Sequence, residues 1–545
     1  MSGRTGPLAP RPALAPARRP ALGTVLRPVL RLVLCLALLT AVLTACSGDD
    51  PDEPLRLRVL ASPDLAVLTP LLGELREETG VDLRLDFRPD AETKAPDRAR
   101  YDLAWLSSDR YLRLTAKSAV QGLQRTATMT SPVVIGLEPA VARKLRAGVP
   151  GGRLTWADIA DAAATGTVRF GMADPRRSAS GLAALVGVAT AAADTGGALR
   201  PEDVSCDRLR GFRSGQTLTA DTGPALVDSY ADHQDRANAL ITYESDLLAL
   251  NATDRLDDPL EVVRPEDGMV LADFPLLLLD PSQRAAYTTV TQWLQRDATQ
   301  RKIMQRTLRR PVTTTVTRTP QLREPVGNAL YYPDQLAVIE ALLADYGDPA
   351  RHTADQVVFL LDFSGSMRGD RMAGLREAFA DLSGADSTAS GKFTRFYRGE
   401  RLTVVRFGGR VLEEKTVTVT GPKDLKTLAD TVARGGYGDA TAVWSALDHG
   451  YRTAARELAA DPDRSLSLVL MTDGENNAGL AYDDFVRHHQ ALPAAVRTGV
   501  PTYPVHFGDA DAGELRRAAA QTGGRMVDTA DSSLSEAFKE IRGCH

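Results

Sequence analysis

A D-x-S-x-S segment that directly follows a hydrophobic run constrains this sequence more than any other feature. The run from Val357 to Leu361 is short, continuous and apolar, a pattern typical of a strand buried on both faces. The residues after such a strand lie at the carboxyl edge of the sheet, where open α/β sheets bind ligands. There the chain places Asp362, Ser364 and Ser366, whose hard oxygen atoms suit Mg²⁺ or Mn²⁺ better than Zn²⁺.

Two other segments extend this pattern. A second buried-strand pattern, Ser465 to Met471, ends in Thr472-Asp473-Gly474, and a glycine-rich stretch before it leads through Thr441 into a helix. Taken alone, D-x-S-x-S is equally typical of a hydrogen-bonded Ser/Asp turn. Asp439 lies two residues before Thr441 and competes with it as a candidate ligand. The three segments in this order on an α/β pattern favour a metal site.

The D-x-S-x-S loop, the threonine before a helix and the T-D-G after a later strand together resemble the metal-ion-dependent adhesion site of von Willebrand factor type A (VWA) domains. This resemblance implies that Ser364, Ser366 and Thr441 ligate Mg²⁺ or Mn²⁺ directly. It also implies that Asp362 and Asp473 hold the ion largely through coordinated waters. A carboxylate from a protein or peptide partner would then fill the open coordination position.

Strand and helix patterns alternate over residues 353–545, which predicts an α/β, doubly wound, mainly parallel and Rossmann-like domain. Residues Val411 to Thr420 alternate in polarity and predict an edge strand. Pro504 lies within the predicted strand Tyr503 to Phe507 and favours an edge or a bulge there, because proline cannot donate to a sheet ladder.

The first 45 residues have the composition of a secretory signal, with six Arg, no acidic residue and the apolar run Leu32 to Leu43. They end in Leu-Thr-Ala before Cys46, which resembles a bacterial lipobox and implies lipidation of Cys46. The other interpretation is an ordinary cleavage site with an incidental cysteine. Because each buried methylene contributes about 0.8 kcal/mol, acyl chains on Cys46 would anchor the protein to the extracytoplasmic face of the cell membrane.

The net charge of the mature chain bears on its partners, and its cysteines bear on a possible disulfide. Removing the signal, with its six Arg and no acid, changes the formal net charge from −5 to −11, which argues against nucleic acid as a partner. Cys206 and Cys544 are the other two cysteines of the mature chain. In an oxidising compartment such a pair favours a disulfide, although two unrelated thiols in different domains is the alternative.

Residues 55–312 follow a short tether, 46–54, and resemble the type II extracellular solute-binding proteins, in which two α/β lobes close on a ligand. Residues 313–352 form a linker with a connecting helix. By position, the resemblance places six side chains at the cleft, where they would suit a small polar or anionic molecule: Ser62, Ser108, Ser131, Ser178, Ser180 and Tyr243. A serine after a strand is also a common helix cap, and a lobe that has lost its ligand is a further alternative.

Two functions from different classes follow. The first is a membrane-anchored binding protein that recognises a protein or peptide carboxylate through the metal site, with the N-terminal domain as sensor or spacer. The alternative is a solute receptor that delivers a small molecule to a membrane transporter. An enzyme is not predicted, because the seven His are not at metal-ligand spacing with acidic neighbours and no G-x-S-x-G motif occurs.

Overall fold

The computed structural model describes residues 54–90, 96–116, 122–204, 208–347, 355–508, 510–529 and 532–543. The predicted signal, the predicted lipidation residue Cys46 and the predicted disulfide partners Cys206 and Cys544 lie outside these ranges. Within the described ranges, no helix is both long enough and apolar enough to span a membrane.

The N-terminal domain contains eleven strands and ten α-helices among its described residues. The strands are β1 (Leu55–Ala61), β2 (Val81–Phe87), β3 (Leu103–Trp105), β4 (Arg125–Ala127), β5 (Ser131–Leu137), β6 (Phe170–Met172), β7 (Gln216–Leu218), β8 (Ala239–Tyr243), β9 (Glu261–Val263), β10 (Leu271–Ala272) and β11 (Pro275–Leu278). The helices are α1 (Thr69–Thr79), α2 (Arg110–Thr115), α3 (Pro139–Ala147), α4 (Trp156–Ala164), α5 (Ala179–Ala193), α6 (Arg210–Arg213), α7 (Gly223–Asp232), α8 (Glu244–Asn251), α9 (Arg284–Gln295) and α10 (Asp297–Thr307).

These strands form two sheets, and each sheet is the centre of one lobe. The first lobe has the strand order β2-β1-β3-β11-β4, and the second has β10-β5-β8-β6-β7 with β9 also paired to β5. The chain crosses between the lobes twice, from β4 to β5 and from β10 to β11. Phe274 lies at the second crossing with a φ of 40°, a left-handed conformation that is strained for a bulky side chain.

The linker contains helix α11 (Leu336–Gly347), and the C-terminal domain follows it with six strands and eight α-helices among the described residues. The strands are β12 (Gln356–Asp362), β13 (Arg401–Phe407), β14 (Val411–Thr418), β15 (Leu466–Thr472), β16 (Thr502–His506) and β17 (Val527–Asp528). The helices are α12 (Asp370–Ala380), α13 (Ala389–Thr394), α14 (Pro422–Ala433), α15 (Val443–Ala460), α16 (Tyr482–Gln490), α17 (Ala494–Gly499), α18 (Ala512–Thr522) and α19 (Leu534–Gly543).

The C-terminal strands form one sheet in the order β14-β13-β12-β15-β16-β17, parallel except for β14. Every residue of β12 and β15 is buried, because helices cover both faces of the sheet. Val357, Phe359 and Leu361 pack into the core on one face, and Val358 and Leu360 pack into the core on the other. The predicted doubly wound α/β class is therefore confirmed, and its central strands are those that the apolar runs indicated.

The sheet accounts for the two strands that the sequence predicted to be irregular, the strand predicted at an edge and the strand that contains Pro504. β14 is the antiparallel edge strand, as its alternating polarity indicated. β16 lies between β15 and β17, but β17 pairs only with Val505 and His506. Pro504 therefore has a neighbouring strand on one side only, which is the local edge that a proline requires.

The C-terminal domain packs against the second lobe through the segment that contains α13. Phe393 of α13 packs into the core of the N-terminal domain, and Lys392 Nζ forms an ion pair with Asp158 Oδ1 at 2.6 Å. The Arg398 amide donates to the Ala164 carbonyl at 2.7 Å. These contacts join the two domains through packing, charge and a backbone hydrogen bond.

Candidate metal centre and solute cleft

Asp362 is the last residue of β12 and lies at the carboxyl edge of the sheet, fully buried. Its Oδ1 accepts a hydrogen bond from the Ser364 amide at 2.7 Å, and its Oδ2 accepts one from Thr472 Oγ1 at 2.7 Å. Burial raises the pKa of the Asp362 carboxyl above its ordinary value, and the hydrogen bonds from Thr472 and Ser364 oppose that rise. Both oxygens of this carboxylate are therefore held in fixed directions.

A continuous set of hydrogen bonds joins the D-x-S-x-S loop to the T-D-G segment. Ser364 Oγ and Ser366 Oγ lie 2.9 Å apart, and Ser366 Oγ donates to Asp473 Oδ1 at 2.8 Å. Asp473 directly follows β15, which pairs in parallel with β12. Because the carboxyl ends of parallel neighbours meet at one edge, residues 107 apart in sequence come into contact there.

Thr441 is buried and borders the same small space as Ser366. Its amide donates to Asn477 Oδ1 at 2.8 Å, and its carbonyl accepts from the Asn477 amide at 3.0 Å. A side-chain carbon placed on Gly474 would lie 3.5 Å from Thr441 Oγ1 and 3.7 Å from Ser366 Oγ. The missing side chain of Gly474 therefore leaves open the space that these two hydroxyls border. Asp439, the alternative candidate to Thr441, is exposed.

The five predicted metal-site residues lie together, and we refer to them as the candidate metal site: Asp362, Ser364, Ser366, Thr441 and Asp473. Two carboxylates and three hydroxyls form a donor set of hard oxygens and low total charge, which fits Mg²⁺ or Mn²⁺. No group of three or more His, Cys, Asp or Glu in the described part of the chain is arranged to hold a metal.

Three residues that support this site were not predicted from the sequence. Asn477 holds the backbone of Thr441, and Arg371 donates to Asp473 Oδ2. The Arg406 guanidinium lies 4.0 Å from the centre of the Phe363 ring and donates to the carbonyls of residues 434, 435 and 436. Arg406 thereby fixes the glycine-rich loop that leads to Thr441, although nothing in the local sequence around it indicates this role.

A small cavity lies between the two lobes of the N-terminal domain, and we refer to it as the cleft cavity. Its volume is about 40 Å³, enough for a few water molecules. The wall includes Asp90, the aromatic rings of Tyr111 and Tyr332, and the serines Ser108 and Ser178. Tyr332 belongs to the linker, so the segment that leads to the C-terminal domain contributes to this wall.

Three of the six predicted cleft residues, Ser108, Ser178 and Tyr243, line the cavity. The other three are buried beside it, and their hydroxyls bond to neighbouring groups. Ser62 Oγ lies 2.7 Å from Ser107 Oγ, Ser131 Oγ accepts from the Ser245 amide at 3.1 Å, and Ser180 Oγ lies 2.9 Å from Ser178 Oγ. Among the described residues, the buried Tyr243 hydroxyl has no hydrogen-bond partner.

The surroundings of the cleft cavity are acidic, which the sequence did not indicate. Burial, followed by the charge of Asp64, raises the pKa of Asp90 to about 7 and that of Asp246 to about 6. The guanidinium of Arg309 is a buried cation nearby, and its Nη2 donates to the Asp64 carbonyl at 2.5 Å. Arg176 pairs with Asp174, so it is not an uncommitted positive charge for an anionic solute.

The sheet topology and the two candidate sites define a two-domain α/β protein. The chain carries a von Willebrand factor type A domain, whose family model matches residues 356–541. It also carries a bacterial extracellular solute-binding domain, whose family model matches residues 57–306. Members of both families generally bind or adhere rather than catalyse. The boundaries of the signal, the tether and the linker are sequence predictions.

Solved structures of both kinds are similar to this chain. A periplasmic thiamin binding protein has 12% identity and a TM-score of 0.43, over 54% of this chain and 96% of its own. A ferric binding protein from Campylobacter jejuni has 12% identity and a TM-score of 0.41, over 53% of this chain and 99% of its own. A von Willebrand factor type A structure from Catenulispora acidiphila has 20% identity and a TM-score of 0.28, over 35% of this chain and 42% of its own.

All three TM-scores are below 0.5, so the domain assignments rest on the family models and the sheet topology. No curated protein is similar enough in sequence to count as a relative of this chain.

Proposed function

We propose that this protein is a lipid-anchored extracytoplasmic receptor that captures a protein or peptide carboxylate through a divalent metal ion. Asp362, Ser364, Ser366, Thr441 and Asp473 would hold Mg²⁺ or Mn²⁺, and Cys46 would carry the lipid. The bound ion would supply a Lewis-acidic position for the partner's carboxylate oxygen. We infer binding rather than catalysis, because both carboxylates of the site are already committed to hydrogen bonds.

One observation carries this proposal: hydroxyls and carboxylates from three separate segments converge around the space that Gly474 leaves open. A turn-forming role for D-x-S-x-S would account for the bond from the Ser364 amide to Asp362. It would not account for the contact between Ser366 and Asp473, or for Thr441 bordering the same space.

The metal is tested by titrating Mn²⁺ into the full chain in mild detergent, using calorimetry. One ion per chain is expected, with binding lost in Asp473→Ala and Thr441→Ala. Asp439→Ala is the matched control, because Asp439 is exposed and close in sequence to Thr441. Loss of binding in Asp439→Ala with Thr441→Ala unchanged would transfer the ligand role to Asp439.

The partner is tested by capture of envelope proteins in Mg²⁺ and in chelator, with Asp362→Ala as the site variant. Capture that requires both Mg²⁺ and Asp362 would identify the partner. Equal capture in every condition would reduce the candidate metal site to a structural role.

A second candidate function, a solute receptor for a membrane transporter, is favoured by the Tyr243 hydroxyl. A buried hydroxyl without a partner costs free energy, and a solute in the cleft cavity would supply the missing hydrogen bond. Mass spectrometry of small molecules released from the purified protein tests this function. Tyr243→Phe should release less of any solute, whereas Tyr331→Phe, at an exposed linker position, should not. Recovery of no solute from the unmodified protein would leave the N-terminal domain as a spacer.

A further inference from the structure

One cation of this chain lies directly against the candidate metal site. Arg371, in the first turn of α12, donates from Nη1 to Asp473 Oδ2. The other oxygen, Asp473 Oδ1, accepts from Ser366 Oγ at 2.8 Å, and the Asp473 side chain is fully buried. One Asp473 oxygen, Oδ1, therefore contacts the Ser366 hydroxyl, which is proposed as a metal ligand. The other, Oδ2, accepts from the positively charged Arg371.

The loop after β16 fits closely around this ion pair. Gly508 has a φ of 70°, and a side-chain carbon there would lie 3.3 Å from Arg371 Cζ and 2.7 Å from the Asp473 carbonyl oxygen. Only glycine adopts this backbone conformation without strain and leaves this room. The contact is thus formed by three segments of the fold, namely α12, the T-D-G segment and the loop after β16.

The charge balance of the site depends on this contact. With both carboxylates ionised, Asp362 and Asp473 place two negative charges near the ion, and Arg371 offsets one of them. A divalent ion would then leave the site with a net charge of about +1, whereas without Arg371 the charges would cancel. Arg371 would also repel a bound divalent ion, because both positive charges would interact with the same buried carboxylate, Asp473.

We propose that Arg371 is a tethered cation that weakens divalent metal binding and leaves the bound ion with excess positive charge for the partner's carboxylate. This inference rests on the proposed metal-dependent function. It makes Arg371 a positioning and tuning residue rather than a metal ligand. The consequence is a trade-off, since neutralising Arg371 would tighten metal binding and weaken carboxylate capture.

The test measures Mn²⁺ affinity by calorimetry on the full chain in mild detergent. Arg371→Gln should bind Mn²⁺ roughly 10- to 100-fold more tightly, because the positive charge that pairs with the proposed ligand Asp473 is removed. Arg371→Lys, which keeps the charge, should stay within about threefold of the unmodified protein. Arg376→Gln is the matched control on the same helix, because Arg376 is exposed and donates to the Ala433 carbonyl instead.

A second readout needs no metal. In chelator, Arg371→Gln should lower the melting temperature, because it leaves Asp473 buried without its counter-charge. Added Mn²⁺ should then raise the melting temperature more in Arg371→Gln than in the unmodified protein.

The outcomes separate this inference from the function on which it rests. If the unmodified protein binds Mn²⁺ and Arg371→Gln binds it equally well or less tightly, the inference is wrong and the metal site stands. If only Arg371→Gln binds Mn²⁺, Arg371 blocks the site, which supports the inference in its strongest form. If neither binds, both the inference and the metal-dependent function are overturned.

Discussion

Gly474 is the residue whose missing side chain would leave room for the proposed ion at the carboxyl edge of the sheet. An added methyl group would lie 3.5 Å from Thr441 Oγ1 and 3.7 Å from Ser366 Oγ, which is ordinary van der Waals contact. The protein itself can therefore accept Gly474→Ala, but the methyl group would take the space between two proposed ligands.

Gly474→Ala should leave the melting temperature in chelator nearly unchanged and abolish its increase on adding Mn²⁺. Gly435→Ala is the control, because a methyl group there meets no atom within 4 Å. Thermal unfolding with and without Mn²⁺ measures both variants. A full Mn²⁺ response in Gly474→Ala would mean that the ion does not use the space between Thr441 and Ser366.

At the scale of elements, two helix glycines differ in how closely their helices pack. Gly450 of α15 faces β12, and a methyl group there would lie 3.0 Å from Cδ1 of the fully buried Leu360. Gly374 of α12 has room, since its nearest contact would be Leu534 Cδ1 at 3.5 Å. Alanine normally stabilises a helix interior relative to glycine, so only the packing separates the two positions.

Gly374→Ala should raise the free energy of unfolding by about 0.5–1 kcal/mol through helix propensity. Gly450→Ala should lower it by about 1–3 kcal/mol, because Leu360 cannot move without disturbing a filled core. Denaturant unfolding of the two variants measures the difference in sign. An equal stabilisation of both would show that α15 can move away from β12 at little cost.

The elements that could be predicted are those whose signal is local. The apolar runs of β12 and β15 and the motifs at their ends each lie within a few residues, so they predicted the sheet and the residues that lie at its carboxyl edge. The role of Arg371 could not be predicted, because its partner Asp473 is 102 residues away and only the strand order brings them together. The acidity around Asp90 was missed because burial and the charge of Asp64, rather than the local sequence, raise its pKa.

At the scale of the whole molecule, a buried ion pair connects the two domains. Arg210 of α6 pairs with Asp355, and both side chains are less than a tenth exposed. The Tyr397 hydroxyl also donates to Asp355 Oδ2 at 3.0 Å. Removing one member of a buried pair is costly because the other charge stays buried without compensation.

Arg210→Ala should therefore lower the free energy of unfolding by about 3–5 kcal/mol. Arg200→Ala, which breaks an exposed pair with Glu202 at 3.8 Å, should cost at most about 1 kcal/mol. Calorimetry should also resolve separate transitions for the two domains in Arg210→Ala. Equal effects of the two substitutions would show that the domains are held together mainly by the apolar packing of α13.

The same ion pair distinguishes a spacer from a sensor, because Asp355 and Asp362 flank opposite ends of β12. Six strand residues, 356–361, lie between Asp355 and Asp362, which places them about 23 Å apart at the usual rise of a strand. β12 is buried on both faces and paired on both sides. We therefore expect it to be rigid, so that a structural change beside its first residue is not transmitted to its last. We therefore expect Arg210→Ala to leave the Mn²⁺ affinity within about twofold of the unmodified protein, measured below the first unfolding transition. This result would assign the N-terminal domain the role of a spacer. A larger change in affinity would mean that the conformation of the second lobe affects metal binding through the sheet.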